Sequence, residues 1–118
     1  MAILDVGREE IISLIGNGLT GVEVSGINIG EGDTAVDVAD DTSLEEELDR
    51  IEGITATQDG DTMELVATFE DNSGTVREAG MYTDDEDDTQ ISRQLVDAVN
   101  LEASDSLEVT FQLQAQNP

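Results

Sequence analysis

The sequence has no cysteine, no histidine and no tryptophan, and its four basic residues are all arginines. Without cysteine, disulfide bonds and thiol chemistry are excluded. Without histidine or lysine, the bases that usually activate a serine nucleophile are missing as well. No apolar run approaches the roughly 20 residues that a membrane-spanning helix needs. We therefore expect no enzymatic activity, no organic cofactor and no membrane association.

Charge of one sign dominates what is present, with 29 acidic residues against 4 basic ones and a formal net charge of -25. Three explanations compete, namely disorder, mimicry of nucleic acid and adaptation to a salt-rich cytoplasm. Regular apolar periodicity argues against disorder, and the acidic residues are spread along the chain rather than grouped. Adaptation to high salt, where the Debye length falls to about 3 Å at 1 M, explains the spread and the absence of lysine. Direct nucleic-acid binding is not expected, because it needs clustered cations.

The length of 118 residues predicts a single domain, residues 1–118, with one hydrophobic core. Aromatic residues make up only 3% of the chain. The core must therefore consist mainly of isoleucine, leucine, valine and alanine.

The first part of the chain has helical periodicity. Apolar residues recur at spacings of three and four, which predicts an amphipathic helix over about residues 3–17. Asp5 is a suitable N-cap, and the Gly-Asn-Gly sequence at 16–18 is a strong stop signal. A helix of this length is marginal alone, so we expect it to dock on the sheet of its own chain.

The remainder has the alternation of β-strands. We predict strands at 21–30, 51–58, 62–70, 75–82, 89–96 and 107–115, with a bulge at Gly26 and a tight hairpin turn at Asp59-Gly60. Residues 30–43 are predicted to form a loop, and Thr42-Ser43-Leu44-Glu45 fits a capping box opening a helical turn through Leu48. The fold class predicted is mainly β, an antiparallel β-sandwich over about 21–116 with one N-terminal amphipathic helix. The last strand is either an interior or an edge strand.

One acidic run offers hard oxygen ligands for a cation. Asp84, Asp85, Asp87 and Asp88 lie in a predicted loop that suits Mg²⁺, Ca²⁺ or Na⁺. The run lacks the spacing and the central glycine of an EF-hand. A solvated acidic loop is the favoured interpretation, with a weak cation site as the alternative.

The arginines indicate specific interactions better than the acidic residues do, because the chain has only 4 basic residues and each of them is expected to have a fixed partner. Arg77, its neighbour Glu78, and Arg93 lie on predicted strands, and Arg50 follows the predicted helical turn. We favour ion pairs across strands inside the fold. The alternative is a bidentate contact with an acidic neighbouring subunit.

Four motifs follow one another along the chain. The first is a helix ending in small residues, at 16–18, and the second is a strand entering a Gly-x-Gly turn, at 29–32. The third is Asp-Thr-x-Leu-x-x-Glu with a later Arg, at 41–50, and the fourth is Arg-Glu-Ala-Gly-Met-Tyr, at 77–82. Their order resembles that of small β-rich proteins and modules encoded among the tail genes of phages and haloarchaeal tailed viruses. Met81 and Tyr82 stand where that family usually has Leu and Phe. Gly80 is expected to mark a bulge or, less simply, a close backbone approach.

The resemblance implies a non-enzymatic virion structural protein of a haloarchaeal tailed virus. It would be a subunit of the tail tip or baseplate, a fibre base, or a capsid surface projection such as a turret or decoration. Its partners would be copies of itself, in a symmetric homo-oligomer, and other virion proteins. It would be made in the cytoplasm of a high-salt archaeal host and reside in the virion. A soluble, acidic, halophilic binding module, such as a DNA mimic or inhibitor, is the alternative.

Overall fold

A computed structural model describes residues 3–9, 24–60, 62–83 and 89–114. These residues form two antiparallel sheets and a short helix at residues 5–9. The predicted fold class, a mainly β antiparallel sandwich with an N-terminal helix, is confirmed. The rest of the helix predicted over 3–17 lies outside the described residues. None of the helical structure in the described ranges is long and apolar enough to span a bilayer.

The two sheets divide the chain unequally. One sheet has the strand order β2-β1-β5-β6, and the other has the order β3-β4-β7, with every pairing antiparallel. Among the described residues β7 is therefore an edge strand, as one of the two alternatives for the last strand predicted. The strands are β1 Val24–Gly30, β2 Glu47–Ile51, β3 Thr57–Asp59, β4 Thr62–Glu70, β5 Gly74–Thr83, β6 Gln90–Leu101 and β7 Ser106–Gln114.

Apolar side chains from both sheets meet in one cluster between them. The alternation of β4 shows how, because Leu65, Ala67 and Phe69 are buried whereas Val66 and Thr68 are exposed. Full burial of a large apolar side chain stabilises a protein by about 1.5–3 kcal/mol, so this face anchors the three-stranded sheet. The cluster comprises Ile27, Ile29, Leu65, Ala67, Phe69, Val76, Ala79, Met81, Ile91, Leu101 and Phe111.

Several local predictions are confirmed by strand pairing. The register of β1 against β5 shifts between Val24 and Gly26, as expected for a bulge at this glycine. β3 and β4 form the predicted hairpin, and Gly60 in its turn has a φ of 62°. The described start of the chain contacts its own sheet, because the Leu4 N–H donates to the Ile91 carbonyl at 2.9 Å.

The region around residues 42–58 differs from the prediction. There is no helical turn through Leu48, because Glu47–Ile51 forms strand β2 and pairs with β1. The Ser43 hydroxyl donates to the Leu44 carbonyl instead of capping a helix. The single strand predicted over 51–58 is interrupted between β2 and β3, where Gly53 has a φ of 69°. β6 also continues to Leu101, beyond the predicted end at 96.

Candidate functional site

Buried polar side chains mark the outer face of the four-stranded sheet, opposite the apolar core. On β1, Ile27 and Ile29 point into the core, whereas Asn28 between them points away from it and is only 1% exposed. Glu78, Gln90 and Arg93 share this face and are at most 3% exposed. A polar face is normally solvated, so something must cover it. Residues 31–46, here named the covering segment, lie across it.

Glu78 holds the covering segment through a carboxylate whose acceptor positions are all used. Its Oε1 accepts from Arg93 Nε at 2.8 Å and from the Glu45 N–H at 2.8 Å. Its Oε2 accepts from the Gly32 N–H at 2.8 Å and from the Glu46 N–H at 2.9 Å. A carboxylate offers about four lone-pair positions, so Glu78 has no acceptor capacity left for a substrate or a metal ion.

Arg93 supplies the positive charge that makes this buried carboxylate tolerable. Besides Glu78, it donates from Nη1 to Asp41 Oδ2 at 3.1 Å and from Nη2 to the Thr34 carbonyl at 2.8 Å. Burial by itself lowers the pKa of Arg93, but the hydrogen bond and charge of Glu78, and then those of Asp41, reverse this and raise it above its ordinary value. Arg93 is thus permanently charged and links Thr34 and Asp41 of the covering segment to β6.

The loop termini of the covering segment are joined by a second carboxylate. Glu45 Oε1 accepts from the Asp33 N–H at 3.1 Å and the Thr34 N–H at 3.3 Å. A side-chain hydrogen bond with Thr34, followed by these backbone bonds, lowers the pKa of Glu45. The carboxylate therefore stays ionised to lower pH than an ordinary glutamate and continues to join the two ends of the segment.

Two buried amides form a reciprocal pair over Gly80. Asn28 Nδ2 donates to Gln90 Oε1 at 2.9 Å, and Gln90 Nε2 donates to Asn28 Oδ1 at 3.0 Å. Asn28 and Gln90 lie on β1 and β6, on either side of β5, and a Cβ atom at Gly80 would overlap Gln90 Nε2 and the Ser92 carbonyl oxygen. Gly80 itself pairs in register with Asn28 and Arg93, so the predicted bulge at this position is wrong. Close approach of neighbouring groups is what requires the glycine.

The sequence-predicted arginines have different surroundings. Arg50 pairs with Glu47 through Nη2 and Oε1 at 2.8 Å, and its guanidinium lies 4.5 Å from the centroid of the Tyr82 ring. Arg77 is half-buried on β5, and its Nη1 donates to the Glu31 carbonyl at 3.5 Å, the limit for a hydrogen bond. The structure thus brings together Arg93 and Glu78, places Arg50 beside the same face, and directs Arg77 to the start of the covering segment.

The predicted cation site cannot be placed in this way. Asp84, Asp85, Asp87 and Asp88 all lie outside the described residues. Within residues 3–9, 24–60, 62–83 and 89–114, no group of three or more acidic side chains has an arrangement that could hold a metal ion.

The motif residues converge on this face although they are far apart in sequence. Gly30 and Gly32 both lie against the Glu78 side chain, where a Cβ atom would overlap it or its neighbours. Glu47 accepts from Asn28 Nδ2 at 2.8 Å and so joins the Arg50 pair to the amide pair. The sequence singled out Asp41 only as the start of a motif and did not single out Asn28 or Gln90. Asn28 lies between two isoleucines, a pattern that normally predicts a solvated face, and Gln90 belongs to no pattern.

These features define a class of architecture, a small two-sheet β protein with a polar outer face closed by a segment that a buried arginine–glutamate pair holds in place. No protein-family model, no curated protein and no solved structure matches the chain.

The close approach at Gly80 has a measurable consequence. We expect Gly80→Asn to lower the free energy of unfolding by about 3 kcal/mol or more, because the new side chain collides with the amide pair and with backbone. Gly53→Asn is the matched control, since Gly53 has open space and a left-handed φ of 69° that asparagine tolerates. Urea unfolding in multimolar KCl measures both variants, and equal losses of stability would contradict the packing role of Gly80.

Proposed function

We propose that the chain is a non-catalytic structural subunit of a virion, produced by a tailed virus of a high-salt archaeal host. The observation that carries the proposal is the use made of the buried charged groups. Glu78 and Arg93 spend their hydrogen-bonding capacity on Gly32, Thr34, Glu45 and Glu46, all in the covering segment. Charges arranged in this way hold the covering segment in place, which is a structural role.

The distribution of acidic side chains supports a high-salt environment. Exposed carboxylates lie on both sheets and on the covering segment instead of forming a single cluster. Hydrated acidic groups spread in this way keep a protein soluble where salt screens their repulsion. Exposed examples are Asp33, Asp37 and Asp40 in the covering segment, Asp97 on β6, and Glu70 and Glu108 on β4 and β7.

The placement of the motif residues supports the viral part of the proposal. The Gly-x-Gly turn, the segment with Glu47 and Arg50, and the segment with Glu78 and Gly80 all meet at one face. Their order, which resembles that of tail-gene proteins, thus corresponds to one structural unit in three dimensions. A family that keeps this unit would keep a scaffold, which is what a particle subunit requires. We place the subunit in the tail tip or baseplate, a fibre base or a capsid projection.

Quantitative mass spectrometry of purified virus particles from the producing culture tests the proposal. We expect the chain to co-purify with infectious particles through a density gradient, at several copies for each particle. Treatment of the culture with nuclease and washing in multimolar KCl controls for adhesion to released DNA or protein. Abundance in the lysate combined with absence from washed particles would instead favour a soluble binding module.

A further inference from the structure

The β7 edge of the three-stranded sheet differs from the three other sheet edges in the described residues. Within those residues the two sheets have four edges, β2 and β6 in one and β3 and β7 in the other. An exposed strand edge presents unpaired N–H and C=O groups, and proteins usually blunt it by short length, bulges, charges or proline.

Three edges are blunted. β3 has 3 residues, and β2 has 5 residues with an irregularity in its pairing. β6 is long, but its register against β5 shifts between Val76 and Glu78 and again between Met81 and Tyr82. The shift opposite Arg77 displaces residues 96–98 from regular pairing. None of these three edges offers a long regular template for another strand.

β7 has only one of these protections, the single charge of Glu108. It pairs with β4 over 9 residues, Ser106–Gln114, without a register shift. It contains no proline, and its core-facing side chains, Leu107, Val109, Phe111 and Leu113, carry no charge. Leu107, Val109 and Leu113 are only half-buried. An added strand would cover them and would extend the three-stranded sheet.

The low charge of β7 indicates which kind of strand would pair with it. The chain carries 29 acidic residues in 118, yet β7 has Glu108 as its single charged residue. Two copies with a net charge of -25 each approach most easily through such a neutral strip. A basic partner would have no counter-charge here and would be attracted elsewhere. The edge is thus suited to an uncharged strand, and β7 itself is one.

We propose that β7 pairs antiparallel with β7 of a second copy, about a two-fold axis at Thr110, so that the two three-stranded sheets become continuous. This register pairs the whole strand, setting Leu107 opposite Leu113 and Val109 opposite Phe111 on the core side, which is the self-complementarity of an isologous interface. Glu108 then faces Gln112. An axis at Glu108 would oppose two like charges and shorten the pairing.

This inference deepens the proposed function by naming one partner, and its place in a particle rests on that function. Pairing itself is a property of the isolated protein. Sedimentation equilibrium in multimolar KCl is expected to give a dimer, with twice the chain mass of 12.6 kDa. Thr110→Glu keeps an exposed position exposed and places two carboxylates across the axis. At the lowest KCl concentration that keeps both proteins folded, where screening is weakest, we expect it to raise the dimer dissociation constant by up to about fivefold, and we expect the rise to shrink as KCl is added.

Val96→Glu is the matched control, because Val96 is 39% exposed on the opposite sheet's edge, β6. It should leave the dissociation constant unchanged. Thr110→Cys tests the register, since the chain has no cysteine of its own and mild oxidation should then link the two copies through a single disulfide. Val96→Cys should give no linked dimer.

A monomeric wild-type protein overturns the inference and favours an extended segment of another protein as the occupant of the edge. The inference is also overturned if Val96→Glu dissociates the dimer whereas Thr110→Glu leaves it intact, because the interface would then lie on β6. These results are separable from the test of the proposed function. A monomer found in washed particles refutes the β7 dimer alone, whereas a β7 dimer absent from particles refutes the virion role alone.

Discussion

Replacing Arg93 by alanine is expected to lower the free energy of unfolding by about 3–5 kcal/mol, because the substitution leaves a buried carboxylate without its counter-charge. Glu78 is 0% exposed and would keep three backbone donors but no cation. Asp41 and the Thr34 carbonyl would also lose their hydrogen bonds from the guanidinium. Domains of ordinary stability unfold with about 5–15 kcal/mol, so this change removes a large part of the total.

The measurement is urea unfolding in multimolar KCl, with Arg50→Ala as the matched control. Arg50 loses a partly exposed pair with Glu47 and its contact with the Tyr82 ring, for which we expect about 1–2 kcal/mol. Arg93→Lys should recover only part of the loss, because an ammonium group cannot reproduce the planar fork that reaches three acceptors. It also provides a measurable variant if Arg93→Ala is unfolded throughout. Equal losses for Arg93→Ala and Arg50→Ala would contradict the role of the buried pair.

Withdrawal of salt is expected to unfold the protein almost completely. The formal charge of -25 repels itself over a Debye length of about 30 Å at 0.01 M salt but of only about 3 Å at 1 M. Circular dichroism across a KCl series should show cooperative loss of the β signal in dilute buffer and its return on addition of salt.

A charge-reduced variant controls for effects of salt other than screening. The substitutions Glu52→Gln, Asp97→Asn and Glu108→Gln remove three exposed charges away from the Glu78–Arg93 pair. We expect this variant to keep its structure at a lower KCl concentration than the wild type. An unchanged β signal down to the most dilute buffer would remove the halophilic explanation of the charge.

The alternation of apolar and polar residues along single strands was predictable, because a strand with one buried face has apolar residues at every second position. β4 and β7 follow that pattern, whereas β5 is buried on both faces, and Asp59-Gly60 is a turn that local backbone preference specifies. The Thr42-Ser43-Leu44-Glu45 pattern failed for a physical reason. A capping box satisfies backbone N–H groups locally, but here the Glu45 and Glu46 N–H groups find the Glu78 carboxylate, 33 and 32 residues away.

The candidate site was predictable only in part. Glu78 and Arg93 stood out because arginine is scarce in this chain, yet their pairing depends on the alignment of β5 with β6. Asn28 gave no signal, because a polar residue between two isoleucines predicts solvent on its side of the sheet, and Gln90 belonged to no recognisable pattern. The covering segment reversed that expectation by lying over the face.

By itself, then, the sequence determined the mainly β class, the positions of the regular strands and the acidic surface, all of which follow from composition and from local periodicity. Tertiary structure alone decided the strand order among the described residues, the burial of a polar face and the place of β7 at the end of its sheet. Each of these depends on which distant segments meet. Local periodicity records whether a side chain is in contact with water or with apolar neighbours, but it does not record which segment provides the cover.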